Sequence, residues 1–266
     1  MNVIKLSVRT IANTVKPLIL ILIVASLSGC ASFDRMLNPI SDHTKHYSFT
    51  HHGAVNGGLL VGGVVESFDG VDIVAAVENA QPVANAFGSE RKQFTVNSAA
   101  ALRDLLGDDV YRTVLQRYDQ ERWVDPQILA KIRDNLPQRY VAFARVEEIS
   151  ERRSSSCYKE KKKKKKDKDG KETDEYEDGP DKYGVSRSSQ RTAKISVDVF
   201  DLAQDIIVWS GTRDNLEMNS EYYDSRVYVG EDSYLSRYPY PAYPSWYATY
   251  YGTARGLAVH FPHKSD

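Results

Sequence analysis

The stretch whose reading decides the fold is "AKISVDVFDLAQDIIVWSGT", residues Ala193–Thr212. Ile195, Val197 and Val199 alternate with Lys194, Ser196 and Asp198, the period of a strand with one buried face. After the short Ala203-Gln204 turn the chain returns through "DIIVWSGT", Asp205–Thr212. Two strands joined by so short a turn form an antiparallel hairpin.

Working outward, "RYVAFARVEEI" (Arg139–Ile149) reads as a further strand. Before it lies a helical pattern that opens at Asn97-Ser98. Leu102, Leu106, Val110, Val114 and Tyr118 recur every four residues, with Leu105 and Leu115 beside them. Gly107 followed by Asp108-Asp109 divides this run into two short helices, since glycine ends one and aspartate caps the next. Asp125-Pro126 starts another helix, with an acid at the N-cap and proline in the first turn. It buries Ile128, Leu129 and Ile132 and ends near Asn135, before Pro137. "GGLLVGGVVES" (Gly57–Ser67) is β-rich, and its paired glycines point to a bulge or a close backbone approach. Val71 to Phe87 fits either a strand or a helix. The tail forms a short helix through Val259, stopped by Pro262. The expected fold class is α+β, a mainly antiparallel sheet with helices packed on one face.

The amino terminus has a different character. Lys5, Arg9 and Lys16 precede an apolar core, Leu18 to Ser26, that is far short of the ~20 residues needed to cross a bilayer. A basic front, a short apolar run and small residues describe a secretory signal, here residues 1–29. It closes on Leu27-Ser28-Gly29-Cys30, which resembles the lipobox of bacterial lipoproteins. That resemblance implies that the Cys30 thiol receives a diacylglycerol, that the signal is cut before it, and that the new amino group is acylated. Each buried lipid methylene contributes about 0.8 kcal/mol, so several chains hold where one binds reversibly. With Ala31 in second place, the resemblance implies the periplasmic face of the outer membrane. Cleavage leaves 32 basic and 36 acidic residues, so no global field attracts nucleic acid. Cys157 is the other cysteine and reads as an idle thiol, with pairing to another chain the alternative.

Residues 30–56 are expected to be the lipidated cysteine and a polar tether, and 57–266 one periplasmic domain. The domain carries a charged, low-complexity, disordered insertion at about 151–190. Within it, residues 152–166 hold nine bases and one acid, and residues 167–181 hold eight acids and two bases. So blocky a polyampholyte has too little apolar content for a core. It reads as a solvated insertion or as a basic arm for a polyanion.

The hairpin also carries a resemblance. Val199-Phe200-Asp201-Leu202 followed by Val208-Trp209-Ser210 is similar to the strand pattern of small periplasmic α/β lipoproteins with the TolB amino-terminal or curli-secretion fold. Membership would imply an envelope-assembly partner or secretion component, and not an enzyme. No catalytic residue carries over from it.

The residues support the same absence of chemistry. There is no nucleophile elbow, phosphate loop or metalloprotease helix, and Glu147-Glu148 are adjacent on one strand and point apart. No catalytic residue and no cofactor are expected. His43-x-x-His46 and His260-x-x-His263 have a spacing that two-point metal binding uses. With polar surroundings and Asp42 as the nearest acid they read as solvated loop histidines, so no metal is expected. Partner binding is assigned to Tyr238, Tyr240, Tyr243, Trp246 and Tyr247, within "RYPYPAYPSWYATYY". Tyrosine presents a stiff apolar face and a hydroxyl, and Tyr and Trp dominate interfaces. Rings that simply cover their own sheet are the alternative. The expected function is a membrane-anchored, non-catalytic binding or assembly module of the cell envelope, anchored through Cys30. Its partner is an envelope protein or a glycan. A structural oligomer or secretion accessory, and an envelope enzyme with an unrecognised site, stand as alternatives.

Overall fold

The computed structural model describes residues 41–66, 70–159, 164–166, 168, 170, 172–176, 183–225 and 238–264. The signal segment, Cys30 and parts of the charged tract lie outside these residues.

Strand β1 (Ser41–Lys45) and helix α1 (His51–Gly57) are the first described elements, so a strand and a helix occur within the stretch expected to be a tether. The reason is tertiary. β1 pairs antiparallel with the hairpin at Arg213–Trp209, and Phe49 is buried against Tyr140 and Phe261. No local period announces either contact.

Strand β2 (Leu59–Glu66) follows, then α2 (Ile73–Glu90) and the short β3 (Val96–Asn97). Asp72 caps α2 by accepting from the Val74 and Ala75 amides at 2.8 and 3.2 Å, and the ambiguous Val71–Phe87 stretch is this helix. The paired glycines of β2 do both things expected of them. The ladder to the next strand shifts register between Val61 and Gly63. A Cβ on Gly62 would stand 2.7 Å from the Phe143 ring.

Three helices follow, α3 (Ala100–Leu106), α4 (Asp108–Glu121) and α5 (Pro126–Asn135). The start expected at Asn97-Ser98 is displaced, since Asn97 belongs to β3 and Ala99 is the N-cap of α3, and the N-cap of α4 is Gly107, with Asp108 and Asp109 in its first turn rather than capping it. Gly107, at φ 77°, separates the first two, and Asp125 Oδ1 accepts from the Gln127 amide at 2.8 Å. One expected core position is displaced. Val110 is exposed, and its neighbour Tyr111 is buried instead, donating to the Gly62 carbonyl at 2.8 Å.

The long strands β4 (Tyr140–Lys159), β7 (Tyr183–Asp201) and β8 (Ile206–Ser225) complete a six-stranded sheet in the order β1-β8-β7-β4-β2-β3. β5 (Lys164–Lys166) and β6 (Glu172–Tyr176) form a separate two-stranded ribbon. Helix α6 (Trp246–Ala258) closes the described chain. The class is α+β, and the sheet is mixed: β2 pairs parallel with both β3 and β4. The parallel pairs exist because helical crossovers join these strands, α2 for one and α3 to α5 for the other. Helices accordingly lie over both faces of this half. Asp198 and Val199 are neighbours on β7 and point to opposite faces. Asp198 meets Tyr118 of α4, while Val199 lies beside Trp209, which packs on Phe261 and through it on Phe87 of α2.

The insertion expected at 151–190 is in its described parts mainly strand. β4 and β7 pair rung by rung from Tyr140↔Asp201 to Lys159↔Tyr183. The apolar count that argued for disorder is low because one face of this extension is covered by aromatic rings from a distant part of the chain.

Candidate partner-binding surface

β1 covers β8 only as far as Arg213, and β2 covers β4 only as far as Val146. Beyond those rungs β8, β7 and β4 continue as a three-stranded arm. Successive side chains of a strand alternate between faces. Arg187, Ser189 and Arg191 of β7 therefore share one arm face with Glu151 and Arg153 of β4 and Glu217, Asn219 and Glu221 of β8.

Residues 238–245 run down this face as a strap towards α6. The Tyr238 ring stacks on Tyr223 at 4.6 Å, and Tyr223 donates to the Pro239 carbonyl at 3.0 Å. Ser189 donates to the Pro241 carbonyl at 2.6 Å, Asn219 to that of Ala242 at 2.9 Å, and Arg191 to that of Pro244. The prolines hold the strap extended, so its carbonyls point into the sheet in sequence. Between these bonds the rings interleave with guanidinium groups. Arg187 lies 4.2 Å from the Tyr240 ring centre, Arg153 lies 4.8 Å from that of Tyr243, and Arg191 lies 3.7 Å from that of Trp246. Each contact of this kind contributes about 0.5–2 kcal/mol, most where water is excluded. Arg191 is also paired with Glu151 at 2.6 Å, and Arg187 and Arg191 are buried.

The five aromatic residues singled out in the sequence therefore divide. Tyr238, Tyr240 and Tyr243 are half-buried on the arm of their own chain, as the covering alternative has it. Trp246 and Tyr247 are exposed at 41% and 50%. Tyr247 accepts from Asn85 of α2 at 2.8 Å and lies parallel to Tyr251 at 6.1 Å, on the seam between α2 and α6. The opposite arm face carries Met218 and Tyr222, exposed at 47% and 51%. The arginines that organise the strap escaped the sequence reading. The signal was present, because Arg187-x-Ser189-x-Arg191 has the period of a strand face, but it sat inside a stretch read as solvated.

The histidines are brought together across the chain. His43 of β1 stacks on His260 with ring centres 4.4 Å apart. Burial first, then the neighbouring His43, Arg213, Arg91 and His263, holds the His260 ring below the usual histidine range. No group of three or more His, Cys, Asp or Glu side chains with metal-holding geometry occurs among the described residues. Cys157 is a half-buried free thiol on β4. A second polar cluster sits under α4. The Tyr118 hydroxyl lies 2.9 Å from Asp198 Oδ2 and accepts from Arg122 at 3.0 Å, and Ser210 donates to Asp198 Oδ1 at 2.6 Å. These bonds satisfy a buried carboxylate.

No family model matches this sequence, and no curated protein matches it. Among solved structures, the chain is similar to the PelC dodecamer from Paraburkholderia phytofirmans, with 11% identity, a TM-score of 0.41, and coverage of 85% of this chain and 99% of that one. A variant of the same dodecamer matches with 12% identity and the same score. Lipoprotein GNA1162 from Neisseria meningitidis matches with 14% identity and a TM-score of 0.31, covering 68% of this chain and 91% of that one. At these values the likeness names neither a family nor an activity for the chain.

Proposed function

We propose that this chain is a lipid-anchored, non-catalytic binding or assembly module of the bacterial envelope, held at the periplasmic face of the outer membrane through Cys30. The anchor rests on Leu27-Ser28-Gly29-Cys30 after a basic, short apolar leader. The observation that carries the binding role is the arm. Its strap leads into α6 and, through the Arg191 bond to the Pro244 carbonyl, fixes the first turn of that helix, where Trp246 and Tyr247 stand exposed, and prior ordering lowers the entropy lost when a partner docks. The partner is an envelope protein or a glycan.

The test combines two variants. Cys30→Ser should abolish fatty-acid labelling and leave an uncleaved precursor, and labelling at the wild-type level would end the anchor reading. Trp246→Ser with Tyr247→Ser should abolish capture of a crosslinked envelope partner while the thermal transition stays near that of the wild type. Undiminished capture would remove these two rings from the interface.

A second reading, a structural oligomer, is favoured by one observation. Among the described residues, no strand pairs with the outer edge of β4 from Glu148 or of β8 from Asp214, and unpaired edges recruit further strands. Light scattering on the soluble domain separates the two, since the module reading expects a monomer without its partner.

A further inference from the structure

The mixed half of the sheet has a topological property the arm does not share. β2 lies between β3 and β4 and runs parallel to both. The chain leaves it through α2 on one face and reaches β4 through α3 to α5 on the other. In open parallel sheets the crevice at the carboxyl ends of the strands, where the chain switches direction, is where ligands bind. A cavity of about 570 Å³ occupies this place. It lies at the carboxyl end of β2, beside the start of α2.

Its walls are Val64, Val65, Val71, Ala75, Ile149 and Trp246. That volume lies in the range of small-molecule pockets, and the lining combines apolar side chains with polar groups. The charged groups in it are Glu66 and Asp72, and no basic side chain is among the described lining residues. Asp72 is occupied by capping α2 through Oδ1, so the helix terminus offsets its charge. Glu66 is held differently. Its Oε1 accepts from Tyr250 at 2.6 Å and from Asn79 at 2.8 Å. Both donors are neutral, so they orient the carboxylate without cancelling its charge. Oε2 has no hydrogen bond among the described residues. The same carboxylate, together with burial, pushes the Tyr250 hydroxyl far above the usual tyrosine range, with burial the larger cause.

From this geometry we infer that the cavity binds an organic ammonium ion, its apolar body against Val71, Ala75, Ile149 and Trp246 and its nitrogen on Glu66. A charge-assisted bond to a carboxylate in an apolar setting is about twice as strong as a neutral one. The site should therefore prefer an amine to an alcohol of the same shape.

The probe is the phenethylammonium ion, with 2-phenylethanol as its neutral counterpart. Both are titrated calorimetrically against the full mature chain in zwitterionic nanodiscs, with empty nanodiscs subtracted. The expected result is saturable uptake of the ammonium ion, at least about tenfold tighter than the alcohol. Glu66→Gln keeps an oxygen for Tyr250 and Asn79 and should bring the two ligands within about twofold of each other. Ala75→Phe fills the cavity from a half-buried position and should abolish uptake of both while the far-ultraviolet dichroism is unchanged. Should that variant misfold, Val71→Phe fills the same cavity from another lining position. Absence of saturable uptake, equal affinity for the alcohol in the wild type, or an ammonium preference that survives Glu66→Gln would each overturn the assignment.

Discussion

Single residues set the tolerances of this domain. Gly62 faces the Phe143 ring so closely that an added methyl group overlaps it. Gly62→Ala should therefore lower stability by about 1–3 kcal/mol, read as a lower denaturant midpoint with an unchanged slope. Tyr118 is an anchor of another kind, because its hydroxyl serves a buried carboxylate and the Phe143 carbonyl. Tyr118→Phe keeps the ring and removes the partner, which should cost about 1–3 kcal/mol. The His43–His260 pair makes stability depend on pH. The His260 pKa is depressed in the folded chain, so the unfolded chain binds the proton more readily. The contribution is fully present above the ordinary histidine value of ~6.5 and is lost as pH falls through it towards the lower folded value. Unfolding curves between pH 7.5 and 5.5 should show a decline that His260→Gln flattens. Gly107 and Asp125 could be placed from their neighbours alone, because a cap is a local event. The stacking partner of His43 could not, because it lies more than two hundred positions away in the chain.

At the scale of elements, the arm depends on the strap. Arg191 joins Glu151, the Pro244 carbonyl and the Trp246 ring. Arg191→Met keeps much of the apolar stem and removes all three polar contacts. It should loosen the strap, seen as a red shift and greater quenching of tryptophan emission, with the core transition moved by only a few degrees. A different outcome, global unfolding, would mean that the arm is integral to the core. Ser245 caps α6 by accepting from the Ala248 amide at 3.1 Å, and Ser245→Ala should cost about 1 kcal/mol. The helices and the central hairpin were legible because their periods are written in consecutive residues. The arm was not, because β7 there reads "YGVSRSSQRT" and owes its cover to rings from residues 240–246. A strand whose apolar partner comes from elsewhere has no apolar alternation of its own.

Across the whole molecule, the core and the arm should differ in local stability. β4 is packed on both sides from Tyr140 to Val146 and exposed along its edge from Glu148. Amide exchange should therefore be slowest in β2 and in β4 from 140 to 146, and several orders of magnitude faster in β4 from 150 to 157, in one contiguous block. Uniform protection along β4 in the isolated monomer would contradict this division. Protection of the outer block that appears only at high protein concentration would favour the oligomer reading, since edge pairing would be what shields it.

The amino-acid sequence by itself determined the three consecutive helices, the Asp125 cap, the hairpin at Ala193–Thr212 and the α+β class. Each of these rests on interactions between residues close in the chain, so a local pattern is sufficient to specify it. Tertiary structure alone decided that β2 pairs parallel on both sides, that helices lie over two faces, and that β1 joins the edge of the sheet. It also decided that the tyrosines clamp arginines of their own arm, and that Glu66 and Trp246 line one cavity. Those outcomes depend on which distant surfaces meet, and strand order, burial and charge pairing between remote segments leave no period in the sequence that encodes them.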